Sequence, residues 1–283
     1  MTDFATRRQV FRDLHRQGCF ALPNPWDIGT ARYLAHLGFK AIASTSAGYA
    51  FSRGVADGTI GLDEMLAHVA ELVRATDLPV NADFENGYAD APEDVAANVR
   101  LCVTTGVAGL SIEDAGDRRD NAIYELPLAV ERLQAAREAI GDSGVLLVGR
   151  AEGFWVGREG FDQVLNRLRA YAAAGADCLY APGLREPEHI RAIVEAVAPK
   201  PVNLLLSGPA GLTGSVDLTM ADAAALGVRR VSVGGALARA AWGGFIRAAT
   251  ELATHGRFDG FAGAAPHAQL QKLFAGNESK TAR

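Results

Sequence analysis

Short apolar runs alternate along the chain with longer stretches in which apolar side chains recur every three to four positions. The longer stretches include "LDEMLAHVAELVRAT" and "FDQVLNRLRAYAAAG". They place apolar residues at i, i+3, i+4 and i+7, the spacing of an amphipathic helix. The short runs fall near residues 18–23, 40–45, 79–83, 108–113, 145–150, 177–181, 201–206 and 229–234. They are apolar on both faces, which predicts strands of a buried parallel sheet.

The boundaries carry signals of their own. In "HLGFKAIAST", "TTGVAGLSIED", "AAGADCLYAP" and "ALGVRRVSVGG" a glycine separates helix pattern from strand run. Gly38, Gly106, Gly175 and Gly227 are therefore predicted to close helices in the left-handed conformation. "LPVNADFE" and "KPVNLLLSG" open a strand on proline instead, where the missing N–H does least harm. Eight strand–helix units in one run predict a (β/α)8 TIM barrel rather than an open doubly wound sheet. An extra N-terminal helix precedes it and a C-terminal helical arm follows. Residues 1–274 are expected to form a single domain, and 275–283 ("GNESKTAR" with the preceding Ala275) a disordered tail.

Composition narrows the function classes. The 283 residues are 49% hydrophobic and 22% charged, with a net charge of -5, which suits a globular chain with a large core. Basic residues are spread along the predicted helices, so no nucleic-acid surface is expected. No apolar run approaches the roughly 20 residues of a membrane span, and "MTDFATRRQVFRDLHRQG" is too charged for a signal peptide. Cys19, Cys102 and Cys178 lie in separate apolar runs and read as free thiols, which predicts a reducing, cytoplasmic setting.

A barrel of this kind carries its chemistry at the C-terminal ends of the strands. Those ends supply Asn24, Trp26 and Asp27; Thr45 and Ser46; Asn81, Asp83 and Glu85; Glu113 and Asp114; Arg150 and Glu152; Asn203 and Ser207; and Ser232 with Gly234-Gly235. Carboxylates cluster on the third, fourth and fifth strands. Asp83, Glu113 and Glu152 at one mouth require counter-charge, which Arg150 or a divalent cation would supply. An all-oxygen set suits Mg²⁺, with Mn²⁺ as the alternative. Helix capping is the competing role for Asp and Asn at such positions. None of the six histidines falls at a strand end, which argues against zinc or a histidine triad, and no lysine is placed for a Schiff base. Gly234-Gly235 fits a phosphate-binding turn or an ordinary tight turn equally well.

"NPWDIGTARYLAHLGFKAI", "STSAGYAFSRGVADG", "VNADFENGYAD", "GLSIEDAGD" and "VGRAEGF", in that order and spacing, resemble the isocitrate lyase / phosphoenolpyruvate mutase superfamily over residues 18–250. The resemblance implies that Thr45, Ser46 and Ala47 bind a substrate carboxylate. It implies that Asn81, Asp83 and Glu113 hold Mg²⁺, that Arg150 stabilises an enolate, and that Asp57 is the acidic residue of the loop after the second strand. Trp26 and Asn203 complete the expected substrate contacts, with Asp57 or Glu152 moving protons. The resemblance also implies a homo-oligomer, a dimer or tetramer, with the helix from Gly235 bearing Trp242 and Phe245 either exchanged between subunits or packed on its own barrel.

The departures are specific. The Lys-Cys-Gly-His segment of the isocitrate-type lyases is replaced by "EDAGDRRDNAIYELP". Asn81 stands where relatives carry Asp, and Glu85-Asn86 is a small insertion. The expected activity is a Mg²⁺-dependent carbon–carbon lyase, a decarboxylase or retro-aldol enzyme, acting on a small 2-oxo or 2-hydroxy di- or tricarboxylic acid. Decarboxylation suffers least from loss of the cysteine loop. The alternatives are phosphonate P–C chemistry, with Arg118, Arg119 and Asn121 on phosphorus oxygens, and a barrel that binds 2-oxo acids without turnover.

Overall fold

In a computed structural model, residues 2–116, 122–208 and 217–275 are described. The apolar runs become eight strands: β1 Phe20–Leu22, β2 Ile42–Ala43, β3 Val80–Asp83, β4 Gly109–Glu113, β5 Leu146–Arg150, β6 Cys178–Tyr180, β7 Val202–Leu205 and β8 Arg230–Ser232. All residues of β4 and β7 are buried, as strands apolar on both faces require. The helices are α1 Phe4–Leu14, α2 Ile28–His36, α3 Ser46–Ser52, α4 Leu62–Ala75, α5 Pro92–Thr104, α6 Leu126–Ile140, α7 Phe161–Ala173, α8 Pro187–Val197, α9 Met220–Ala225, α10 Ala236–His255 and α11 His267–Ala275. Gly38, Gly106, Gly175 and Gly227 have φ of 85°, 92°, 101° and 87°, the left-handed conformation expected of them.

The strands pair in parallel in the order β1–β8–β7–β6–β5–β4–β3–β2, a nearly closed (β/α)8 barrel. The seam between β1 and β2 is joined by the Ala43 N–H, which donates to the Pro23 carbonyl at 3.0 Å. Asn24 ties the same seam to β8. Its Nδ2 donates to the Ser44 carbonyl at 2.8 Å, and its Oδ1 accepts the N–H groups of Val233 and Gly234 at 3.1 and 2.9 Å. Gly234 thus sits in a tight turn whose donors serve Asn24.

The core has two parts. Ile42, Leu72, Leu110, Leu147 and Leu168 pack between sheet and helices. Leu22, Val148, Cys178 and Leu205 fill the barrel interior together with Phe11 of α1, which is fully buried. The extra helix therefore closes the N-terminal end of the barrel, and burial of that ring contributes about 3 kcal/mol. Gly109 makes this approach possible: a Cβ there would lie 2.7 Å from Phe11 Cε1 and 2.7 Å from Asn81 Oδ1. Cys102 and Cys178 are buried, Cys19 is half-buried, and all three are free.

Residues Met1–Gly235 form one compact unit, and the chain from Ala236 a second. Within the second, α10 exposes Phe245, Ile246 and Trp242. Ala275 still belongs to α11, whereas 276–283, the rest of the expected tail, lie outside the described residues. Among the described residues no helix is long and apolar enough to cross a membrane.

Candidate active site

Parallel strands in register deliver Asp83, Glu113 and Arg150 to one mouth of the barrel. Glu113 pairs directly with Arg150 across β4 and β5, and Asp83 with Ser111 across β3 and β4. Arg150 Nη1 lies 3.3 Å from Asp83 Oδ1 and 3.2 Å from Glu113 Oε2, and its Nε donates to Glu152 Oε1. Its guanidinium carbon stands 5.1 Å from the centre of the Tyr180 ring. Burial disfavours the charged guanidinium, but Glu113, Glu152 and Asp83 outweigh it and raise the Arg150 pKa.

Asp83 also joins this cluster to the turn after β2. Its Oδ2 accepts the Ser46 N–H at 3.0 Å, and its own N–H donates to Ser44 Oγ at 2.8 Å. Thr45 caps α3, its Oγ1 accepting the Gly48 N–H at 3.1 Å. The Ser46 N–H of that turn is thus engaged by the Asp83 carboxylate. Ala47 lies beside Gly235, where an added Cβ would be 3.6 Å from the Ala47 Cβ.

Asn81 and Asn203 share a different partner. Arg230, fully inside the barrel, donates from Nε to Asn203 Oδ1 at 2.8 Å and from Nη1 to Asn81 Oδ1 at 3.4 Å. Asn203 Nδ2 donates in turn to Ser232 Oγ at 2.9 Å. Burial lowers the Arg230 pKa. Strand ends alone do not reveal this arginine, because it opens β8. The alternation Arg230, Ser232 of polar residues along that strand is the signal that places it inward.

Trp26 is half-buried just past β1, its N–H donating to Thr30 Oγ1 at 3.3 Å, and Asp27 is the N-cap of α2. Asp57 lies half-buried on the turn between α3 and α4. Arg118, Arg119 and Asn121 lie outside the described residues.

The insertion after β3 is anchored on both sides. Glu85 and Tyr88 have φ of 46° and 58°, a conformation that costs a side-chain-bearing residue about 1–3 kcal/mol. Buried Arg132 of α6 offsets this by donating to the carbonyls of Asn86, Ala89 (2.7 Å), Asp90 (3.0 Å) and Glu113 (3.3 Å). Tyr88 Oη lies 3.3 Å from Glu85 Oε1 as its donor, which puts the Glu85 carboxylate inside the loop. Burial, then Glu85 and Asp83, raise the Tyr88 pKa.

Two carboxylate oxygens, from Asp83 and Glu113, converge on one point, now taken by Arg150 Nη1. Hard oxygen donors so arranged fit a small divalent cation, since Mg²⁺ is commonly held by one or two carboxylates and completes its shell with water and substrate. Among the described residues no group of three or more His, Cys, Asp or Glu forms a ready-made metal cage.

Fold and site define a (β/α)8-barrel enzyme with a cluster of three carboxylates around one arginine at the C-terminal mouth. A family profile described as phosphoenolpyruvate phosphomutase matches residues 11–253. The chain belongs to that family, within the isocitrate lyase / phosphoenolpyruvate mutase superfamily. A Burkholderia cenocepacia J2315 structure, provisionally described as a lyase/mutase, is 48% identical with a TM-score of 0.90, covering 96% of this chain and 97% of that one. The structure of a 2,3-dimethylmalate lyase is 25% identical with a TM-score of 0.85, covering 99% and 98%. Oxaloacetate decarboxylase of Paraburkholderia xenovorans (strain LB400) is 30% identical over 233 residues, 80% of this chain and 74% of its own.

Proposed function

We propose that the chain is a Mg²⁺-dependent carbon–carbon lyase, with Mn²⁺ as a substitute, acting on a small 2-oxo or 2-hydroxy di- or tricarboxylic acid by decarboxylation or retro-aldol cleavage. The observation that carries this reading is Arg150 held among Asp83, Glu113 and Glu152 while Asp83 reaches the Ser46 N–H. A cationic donor is thereby fixed beside the turn suited to a substrate carboxylate.

In this reading Thr45, Ser46 and Ala47 orient the substrate carboxylate, and Trp26 and Asn203 bound the rest of the acid. Asp83 and Glu113 hold the cation, while Asn81, expected with them, gives its Oδ1 to the Arg230 guanidinium. When bound, that cation supplies Lewis-acid stabilisation of negative charge. Arg150 donates to the oxygen on which the enolate charge develops as the carbon–carbon bond breaks. Glu152 or Asp57 moves the proton that quenches the new carbanion carbon. A name such as oxaloacetate decarboxylase on a relative supports the decarboxylation branch.

The test is a screen of C4–C6 oxo- and hydroxy-acids with Mg²⁺, with Mn²⁺ and with EDTA. Turnover that EDTA abolishes and Mg²⁺ restores is expected. Metal binding without turnover of any of these acids would overturn the proposal. The exposed apolar face of α10 further supports a homo-oligomer, a dimer or tetramer.

A further inference from the structure

At the end of the barrel opposite the strand-end carboxylates lies a cavity of about 550 Å³, within the size range of small-molecule sites. The end of α1 and the turns leading into β7 and β8 form its walls. Arg12, Arg16, Lys200 and Arg229 line it, with Asp177 as the one carboxylate among the lining residues. Asp177 is already engaged by Arg137 at 2.8 Å and Arg12 at 3.8 Å. Arg16 pairs with Asp13 at 2.8 Å, but both side chains are exposed, so the pair is weak. Arg229 donates to a neutral group, the Gly18 carbonyl at 3.2 Å. Among the described residues neither Lys200 nor Arg229 has a carboxylate partner.

His15 lines the same cavity but turns no accessible ring nitrogen to it. Its Nδ1 lies 2.7 Å from the Phe11 carbonyl oxygen, to which it can only donate, so the neutral ring carries its lone pair on Nε2. That Nε2 is buried without a hydrogen-bond partner, and the residue is only 7% exposed. Burial, with Arg230 and Arg12 nearby, holds the His15 pKa at about 3, so the ring stays an acceptor at neutral pH. The uncharged ring adds nothing to the field of the cavity, which comes from Lys200, Arg229, Arg16 and Arg12 and favours a multiply charged anion. Acetate brings one charge and two oxygens. A phosphate group brings up to two charges and three oxygens to share among the cations.

We propose that this cavity binds a phosphate group, free or as a monoester, with its anionic oxygens on Lys200, Arg229 and Arg16. The site is independent of the lyase reading, since it shares no residue with the opposite mouth.

Isothermal titration of the full chain with inorganic phosphate, glycerol 3-phosphate and acetate, at pH 7 and constant ionic strength, tests it. Phosphate or the ester is expected to bind at least tenfold tighter than acetate, and the tighter of the two identifies the source. Lys200→Glu and Arg229→Glu are expected to weaken binding at least tenfold, and Arg150→Met to leave it unchanged. Lys200→Gln and Arg229→Gln, with ³¹P line broadening as readout, serve if a charge reversal prevents folding. Absence of phosphate binding, binding undiminished in the Lys200 and Arg229 variants, or its loss in Arg150→Met would each overturn the proposal.

Discussion

Asp114 Oδ1 accepts the backbone N–H of Glu152 at 2.8 Å, so the first residue past β4 fixes the second residue past β5. The other oxygen, Oδ2, accepts from Tyr171 Oη at 2.5 Å and lies 3.5 Å from Arg167 Nη1. Arg167 extends the network, donating to the Tyr124 carbonyl at 2.9 Å and pairing with Glu159 at 2.7 Å. Asp114 is buried, and burial raises its pKa against the opposing pull of Tyr171, the Glu152 N–H and Arg167. Asp114→Asn keeps the shape but removes the charge that Arg167 faces. Breaking a buried pair from one side costs about 3–5 kcal/mol, less here because Arg167 keeps Glu159. We expect a loss of about 2–3 kcal/mol in urea unfolding and a fall in kcat larger than any rise in KM, because an amide nitrogen facing Tyr171 and Arg167 shifts the side chain that anchors Glu152. An unchanged kcat would remove Asp114 from the support of Glu152.

Arg150→Met takes the guanidinium from between Asp83, Glu113 and Glu152 and leaves the carboxylates facing one another. Loss of an oxyanion-stabilising donor is expected to lower kcat by about 10²–10³. Like-charge repulsion in a partly buried site destabilises the fold, and a divalent cation relieves it. The midpoint of thermal unfolding of Arg150→Met should therefore rise more with Mg²⁺ or Mn²⁺ than that of the wild type. Equal shifts would argue against a cation between Asp83 and Glu113.

The barrel was legible because each of its eight strands is an apolar run bounded by glycine or proline, and Asp83, Glu113, Arg150 and Glu152 because they end such runs. Their convergence follows from parallel register, which sequence periodicity already implies. What the pattern did not disclose is support across the fold. Arg132 reads as one charge on an amphipathic helix, yet it holds carbonyls of the inserted loop 42 to 46 residues upstream. Arg230 reads as part of a basic pair before a strand, yet one member of "RR" points into the barrel and the other does not. Such partners are set by tertiary contact, which no local spacing encodes.

Asn81→Asp tests whether the missing charge at this position belongs to a metal or to Arg230. Arg230 Nη1 lies 3.4 Å from Asn81 Oδ1, and its other side-chain partner is the neutral amide of Asn203. A carboxylate introduced here gains a buried cation as partner. Hydrogen bonds to charged groups contribute about 1.5–3 kcal/mol. We expect Asn81→Asp to be more stable by about 1–2 kcal/mol in urea and to change Mn²⁺ affinity, read by electron paramagnetic resonance, less than about threefold. A large gain in affinity would place residue 81 in the metal set.

The second unit carries its own test. Phe245 and Ile246 of α10 are 62% and 55% exposed, and Trp242 packs edge-on against Phe245 at 5.3 Å between ring centres. An apolar surface of this kind on one helix is characteristic of an interface. Light scattering coupled to size exclusion is expected to give a dimer or tetramer for the wild type and a smaller species for Phe245→Glu with Ile246→Glu. A monomeric wild type would remove the oligomer from the reading.

His68 sets an acid limit on the barrel. Its ring stacks on Tyr49 at 3.7 Å, is 2% exposed and has an unpartnered Nε2. Burial lowers its pKa from 6.5 to about 4, with Asp27 opposing. The unfolded chain therefore binds a proton between these values that the folded chain refuses. Stability is thus complete above pH 6.5 and is lost as pH falls toward 4. Each pKa unit is worth about 1.4 kcal/mol, so protonation of this one residue removes roughly 2–3 kcal/mol by pH 4.5. His68→Phe retains an aromatic partner for Tyr49 and has no proton to bind. Urea unfolding at pH 7 and pH 4.5 is expected to show a smaller acid loss for His68→Phe than for the wild type, by about that amount. Equal losses would mean that His68 finds a proton-accepting partner on acidification, and that its burial does not limit the fold.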